Sequence, residues 1–80
     1  MEILLVLGGR SQTLRCANFL SAAGHRAAVT DTPVRLVGSC TLSVRTDIDG
    51  LAYFKANAYA FSSFAAAYVD YGDGKYTRIL

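Results

Sequence analysis

Residues 2–24 read EILLVLGGRSQTLRCANFLSAAG, an apolar run, a glycine pair and a longer segment that ends in glycine. The continuous apolar run predicts a short buried strand over Glu2–Leu7, which the glycine pair ends. From about Ser11 to Ala23 the apolar side chains recur at helical spacing, and Gly24 is placed as a left-handed stop. This stretch therefore predicts a strand followed by a helix.

The remainder of the chain continues with further strands. They are predicted at Ala27–Thr30, Cys40–Thr46, Ala65–Tyr71 and Lys75–Leu80. Pro33 cannot donate a hydrogen bond to a sheet, so it ends the first of these strands. Gly72-Asp73-Gly74 predicts a hairpin turn before the last strand.

A second helix is predicted between the third and fourth strands. Asp47 or Asp49 can cap its start, and it runs to about Ala60 or Ser62. Its apolar stripe consists of Leu51, Phe54, Ala58 and Phe61. The order β-α-β-β-α-β with a trailing hairpin strand predicts one α/β (α+β) domain over residues 1–80, in the ferredoxin-like, split βαβ arrangement.

Composition excludes several classes of protein. Apolar residues make up 52% of the 80 residues and charged residues 18%, which predicts a folded domain. The net charge of +2 is far from the dense basic patch of a dedicated nucleic-acid-binding protein. No apolar run approaches the roughly 20 residues that span a bilayer, and the acidic start differs from a signal peptide. We therefore expect a cytoplasmic protein without a membrane or nucleic-acid partner.

The two cysteines and the single histidine limit the possible chemistry. Two cysteines do not make a disulfide scaffold, and free thiols are expected in a reducing cytosol. With one histidine and no C-x-x-C pair, a structural zinc site lacks ligands. Cys16 falls on the apolar face of the first helix, where core packing is expected. His25 follows the helix stop, where a surface position is expected rather than a catalytic base.

Two further features allow either a binding or a structural interpretation. Residues Gly8–Ser11 join a strand to a helix start, where free amides and Arg10 could hold an anion; the alternative is a tight turn capped by Ser11. The stretch lacks the third glycine of the G-x-G-x-x-G dinucleotide motif and the Gly-Lys-Ser/Thr sequence of a P-loop. Four tyrosines could either stack on nucleic-acid bases or simply pack within the fold: Tyr53, Tyr59, Tyr68 and Tyr76. No ribonucleoprotein signature accompanies them.

Cys40 lies where a loop meets a strand, after Gly38-Ser39 and between Arg35 and Arg45. A partly exposed thiol near guanidinium groups is favoured as the thiolate, the form that accepts a sulfane sulfur. Strand alternation instead puts Cys40 on the same face as Leu42, where it would be buried. The spacing leaves both interpretations open.

Residues 31–45, DTPVRLVGSCTLSVR, resemble the central segment of the Se/S (selenium/sulfur) carrier protein-like family. The matching positions are Pro33, Leu36, Ser39, Cys40, Leu42 and Arg45. Thr41 stands where that family usually has glycine. The order of strands and helices also fits, so the resemblance covers nearly the whole chain, although about fifteen residues carry its specificity.

The resemblance implies a carrier that holds sulfur or selenium as a persulfide or perselenide on Cys40. A donor of the cysteine desulfurase type would load it and an acceptor enzyme would unload it. No metal or organic cofactor is implied, and the protein would have no turnover of its own. The other residues assigned to this site are Pro33, Arg35, Gly38, Ser39, Thr41 and Arg45.

Each of these residues has an expected role. Arg35 and Arg45 would stabilise the thiolate, Ser39 and Thr41 would donate hydrogen bonds to it, and the loop from Pro33 to Ser39, made flexible at Gly38, would cover it. The alternative function is a non-catalytic ferredoxin-like module that binds a small ligand or forms a homodimer, which rests on analogy of fold. A carrier needs an accessible Cys40 of low pKa, whereas such a module would tolerate Cys40→Ser.

Overall fold

The computed structural model describes residues 2–32, 42–61, 63–72 and 74–80. Within these ranges the chain forms five strands and two α-helices. The strands are β1 (Glu2–Leu7), β2 (Ala27–Asp31), β3 (Leu42–Thr46), β4 (Phe64–Asp70) and β5 (Tyr76–Arg78). The helices are α1 (Arg10–Ala22) and α2 (Ile48–Ala56), and a short 3-10 turn covers Ala58–Ala60.

The described strands form one antiparallel sheet in the order β2-β3-β1-β4-β5. β1 occupies the centre, where Leu5 is the register partner of Val44 on one side and of Ala67 on the other. An α+β domain with an antiparallel sheet and two helices is therefore confirmed.

The hydrophobic core lies between one face of the sheet and the two helices. The sheet contributes Ile3, Leu5, Leu7, Val44, Ala67 and Val69, and the helical part of the chain contributes Cys16, Ala17, Leu20, Phe54 and Phe61. On the opposite face of β1, Leu4 and Val6 are also buried. Because both faces of β1 are buried, its sequence is continuously apolar rather than alternating.

The end of α1 is a Schellman motif. Gly24 has a φ of 85°, and its amide donates to the carbonyl oxygen of Ser21 at 3.0 Å. The His25 amide donates to the carbonyl oxygen of Leu20 at 3.0 Å. This pair of hydrogen bonds defines the motif, and the left-handed glycine stop predicted from the sequence is confirmed.

α2 begins as predicted but ends earlier. Asp47 is its N-cap, and the Asp47 carboxylate accepts a hydrogen bond from the Gly50 amide at 2.8 Å. The predicted end at Ala60 or Ser62 is wrong, because the α-helix stops at Ala56. The Asn57 side chain donates to the Tyr53 carbonyl at 2.9 Å and so takes the acceptor that the Asn57 amide would use in a longer helix.

The apolar stripe persists through this break. Phe54 and Phe61 are buried, and Leu51 and Ala58 pack against the core. The terminal hairpin is also present, although its second strand is limited to Tyr76–Arg78 rather than the predicted Lys75–Leu80. The predicted end of the second strand at Pro33, the predicted start of the third at Cys40 and the turn residue Asp73 lie outside the described residues.

Candidate functional site

The predicted thiol site lies on the connection between β2 and β3. Of its residues, Arg45 is described, whereas Pro33, Arg35, Gly38, Ser39, Cys40 and Thr41 lie outside the described residues. The structure therefore shows the two places on the sheet between which this connection runs, and the surroundings of Arg45.

The connection starts and ends at neighbouring points of the sheet. Asp31, the last residue of β2, is the register partner of Leu42, the first described residue of β3. One residue further, the Thr32 hydroxyl donates to the Ser43 hydroxyl at 2.9 Å, and both side chains are buried. This hydrogen bond ties the exit from β2 to the entry into β3. Sequence reasoning missed it, because its partners are eleven residues apart and neither is a position that matches the family.

Arg45 is held by two carboxylates. Its Nη1 lies 2.9 Å from Glu2 Oε2 and 2.6 Å from Asp70 Oδ2, so it joins β3 to β1 and β4. Arg26 adds a second contact to Glu2, with Nη2 2.7 Å from Oε1. The side chain of Arg45 is about three-quarters buried, with 25% of its surface exposed. Pairing at this depth is less screened by water and salt than a fully exposed ion pair.

The protonation equilibria of this cluster follow from the contacts. The hydrogen bond from Arg45 is the largest cause that lowers the pKa of Glu2, and it is also the largest cause that lowers the pKa of Asp70. The same bond to Asp70 raises the pKa of Arg45 above its usual value. Both carboxylates are therefore charged at neutral pH, and together they offset the positive charge of Arg45.

The alternation predicted for the third strand is confirmed within its described part. Val44 contributes to the core on the helix side, whereas Arg45 contacts Glu2 and Asp70 on the opposite face of the sheet. The prediction that Arg45 also stabilises the Cys40 thiolate stays a prediction, because it depends on a residue outside the described part.

Cys16 is a core residue, as predicted. It lies on α1 in the cluster that contains Leu20 and Phe54, and none of its surface is exposed. Burial raises the pKa of the Cys16 thiol to about 11. A thiol that is both inaccessible and protonated at neutral pH is a poor nucleophile.

The glycine-rich stretch at the start of α1 is engaged in a tight turn. The Gly8 amide donates to the Ser63 carbonyl at 2.8 Å, so it is not free to bind an anion. Gly9, with a φ of 86°, occupies the N-cap, and the Thr13 hydroxyl donates back to its carbonyl at 2.9 Å. The prediction of Ser11 as the cap is wrong, because α1 already starts at Arg10.

The aromatic residues form a cluster around the two helices rather than one stacking surface. The Phe19 ring stacks on the Tyr53 ring, with 5.0 Å between centroids. The half-buried His25 ring also lies 5.0 Å from the Tyr53 ring. By strand register, Tyr68 lies beside Leu4 and Tyr76 beside Asp70, on the opposite side of the sheet. The side chain of Tyr59 lies outside the described part. Tyr53 thus lies on one side of the sheet, and Tyr68 and Tyr76 lie on the other.

Comparison with known proteins gave no relative. No family model matches the chain, and no curated protein and no solved structure matches it either. Within the described ranges, no three His, Cys, Asp or Glu side chains come together as metal ligands. None of the helices described is long and apolar enough to cross a membrane. The resemblance to the Se/S carrier protein-like family accordingly rests on the residues of the Cys40 segment.

Proposed function

We propose that the chain is a ferredoxin-like domain that carries sulfur or selenium on Cys40 as a persulfide or perselenide. A donor of the cysteine desulfurase type loads it, and an acceptor enzyme unloads it in the cytoplasm. The observation that carries the proposal is the burial of Cys16, because it makes Cys40 the better candidate of the two cysteines in the chain.

The strand order supports the ferredoxin-like arrangement. β3 lies between β1 and β2 and is antiparallel to both, so β1 and β2 run parallel with α1 connecting them. In the same way β1 lies between β3 and β4, which α2 connects. Two interleaved β-α-β units of this kind make up the split βαβ arrangement.

The contacts at the ends of the Cys40 segment support a site on this connection. The partner pair Asp31 and Leu42 and the buried hydrogen bond from Thr32 to Ser43 fix the positions at which the chain leaves and re-enters the sheet. Binding residues are often found on loops whose ends are held by a rigid sheet. Nine residues, 33–41, lie between these two fixed points.

The ion pairs of Arg45 support different roles for the two arginines of the proposed site. Glu2 and Asp70 offset the charge of Arg45, so its effect on a nearby thiolate is weakened. The proposal therefore gives Arg35 the main electrostatic role and gives Arg45 the structural role of fixing β3. Ser39 and Thr41 keep their expected role as hydrogen-bond donors to the sulfur.

Loading by this route is a transfer without net oxidation. The Cys40 thiolate attacks the outer sulfur of the donor's persulfide, and a new bond forms between Cys40 Sγ and that sulfur. The bond between the outer sulfur and the donor's cysteine breaks, and the donor leaves as a thiolate. The acceptor repeats the exchange, so that Cys40 returns to its original state. A perselenide follows the same sequence with selenium as the transferred atom.

The test is the intact mass of the protein after incubation with a cysteine desulfurase and cysteine. We expect a gain of one sulfur atom on the wild type and on Cys16→Ala, and none on Cys40→Ser. The Cys16→Ala variant serves as the matched control, because it removes the buried thiol and leaves the proposed site. A wild type that gains no sulfur, or a Cys40→Ser variant that still gains it, would overturn the proposal.

A further inference from the structure

We draw no further inference here: the strongest candidate, the face of the sheet opposite the two helices, where Leu4, Val6 and Ala66 are buried, carries no proposal because nothing in the described part of the chain shows what covers it.

Discussion

Replacement of Gly50 by alanine should destabilise the protein, although alanine is the better helix former. Gly50 lies in the first turn of α2 and is buried. A Cβ atom at this position would lie 1.9 Å from Thr46 Oγ1 and 3.1 Å from Thr46 Cβ. The Thr46 hydroxyl donates to the Arg26 carbonyl at 2.5 Å, and Thr46 is 1% exposed, so a buried hydrogen bond holds this side chain where the new Cβ would lie.

The expected change in the free energy of unfolding is the difference between a gain in helix propensity and the cost of the steric overlap. Alanine in place of glycine favours a helix by at most about 1 kcal/mol. Relief of the overlap requires the Thr46 side chain to rotate, which breaks its hydrogen bond and leaves a buried polar group without a partner, at a cost of about 1–3 kcal/mol. Residual overpacking adds about 1–3 kcal/mol. We expect a net loss of about 3 kcal/mol and a fall in Tm of about 12–24 °C for a domain of this size.

Urea unfolding followed by circular dichroism gives the free energy directly. Gly8→Ala is the matched control, because a Cβ there would lie 3.6 Å from Ser63, an ordinary contact, and this variant should be as stable as the wild type within about 0.5 kcal/mol. Thr46→Ala removes the overlapping oxygen, so the double variant Gly50→Ala/Thr46→Ala should lose less than the sum of the two single losses. A Gly50→Ala variant as stable as the wild type would refute the reasoning.

Two other predictions concern the ion cluster and the thiols. Arg45→Gln should cost about 2 kcal/mol at pH 7, since it removes charge-assisted hydrogen bonds to Glu2 and Asp70. These carboxylates have lowered pKa values, so the stability from Arg45 is present above their unfolded values of 4.5 and 3.8 and is lost as the pH falls through the lowered folded values. Urea unfolding should show the gap between variant and wild type shrinking from pH 7 to pH 3, and a gap of constant size would contradict the assignment. With a limiting alkylating agent, Cys40 should be modified before Cys16, whose pKa is about 11, and mass mapping that finds Cys16 modified first in the folded protein would contradict the order.

Features set by neighbouring residues could be predicted from the sequence. The strand Glu2–Leu7 and the left-handed Gly24 each depend on a short segment and its backbone requirements, and the structure confirms both. Of the two aspartates predicted as caps of the second helix, the structure shows Asp47 in that role. The burial of Phe54 and Phe61 could also be predicted, because helical spacing puts both on one side even though the helix stops before the second.

Features that depend on particular side-chain contacts were missed. Asn57 is an ordinary helix residue in the sequence, and its role in ending α2 depends on a side-chain bond to Tyr53 that no spacing rule requires. Arg45 could be placed on the correct face of its strand, but its partners Glu2 and Asp70 come from strands 43 and 25 residues away. Strand alternation gives the side of a residue and not its partners, which depend on the order of strands in the sheet.

The polar side chains of β3 connect the stability of the sheet to the proposed thiol site. Ser43 accepts from Thr32, Arg45 bonds to Glu2 and Asp70, and Thr46 donates to the Arg26 carbonyl. A slip of one residue along the strand would reverse the faces and break all these contacts at once, so they fix the register more strongly than apolar packing alone.

The Cys40 segment leads directly into β3, the strand that these contacts hold in place. A variant of Arg45 that lowers sulfur loading would therefore act on the register of β3 and on the thiol together, and loading alone would not separate the two. Arg35→Gln leaves Arg45 and its hydrogen-bond partners Glu2 and Asp70 unchanged in sequence. Equal stability with a raised pKa of Cys40 in Arg35→Gln would identify the electrostatic effect on the sulfur, and an unchanged pH profile of alkylation would exclude it.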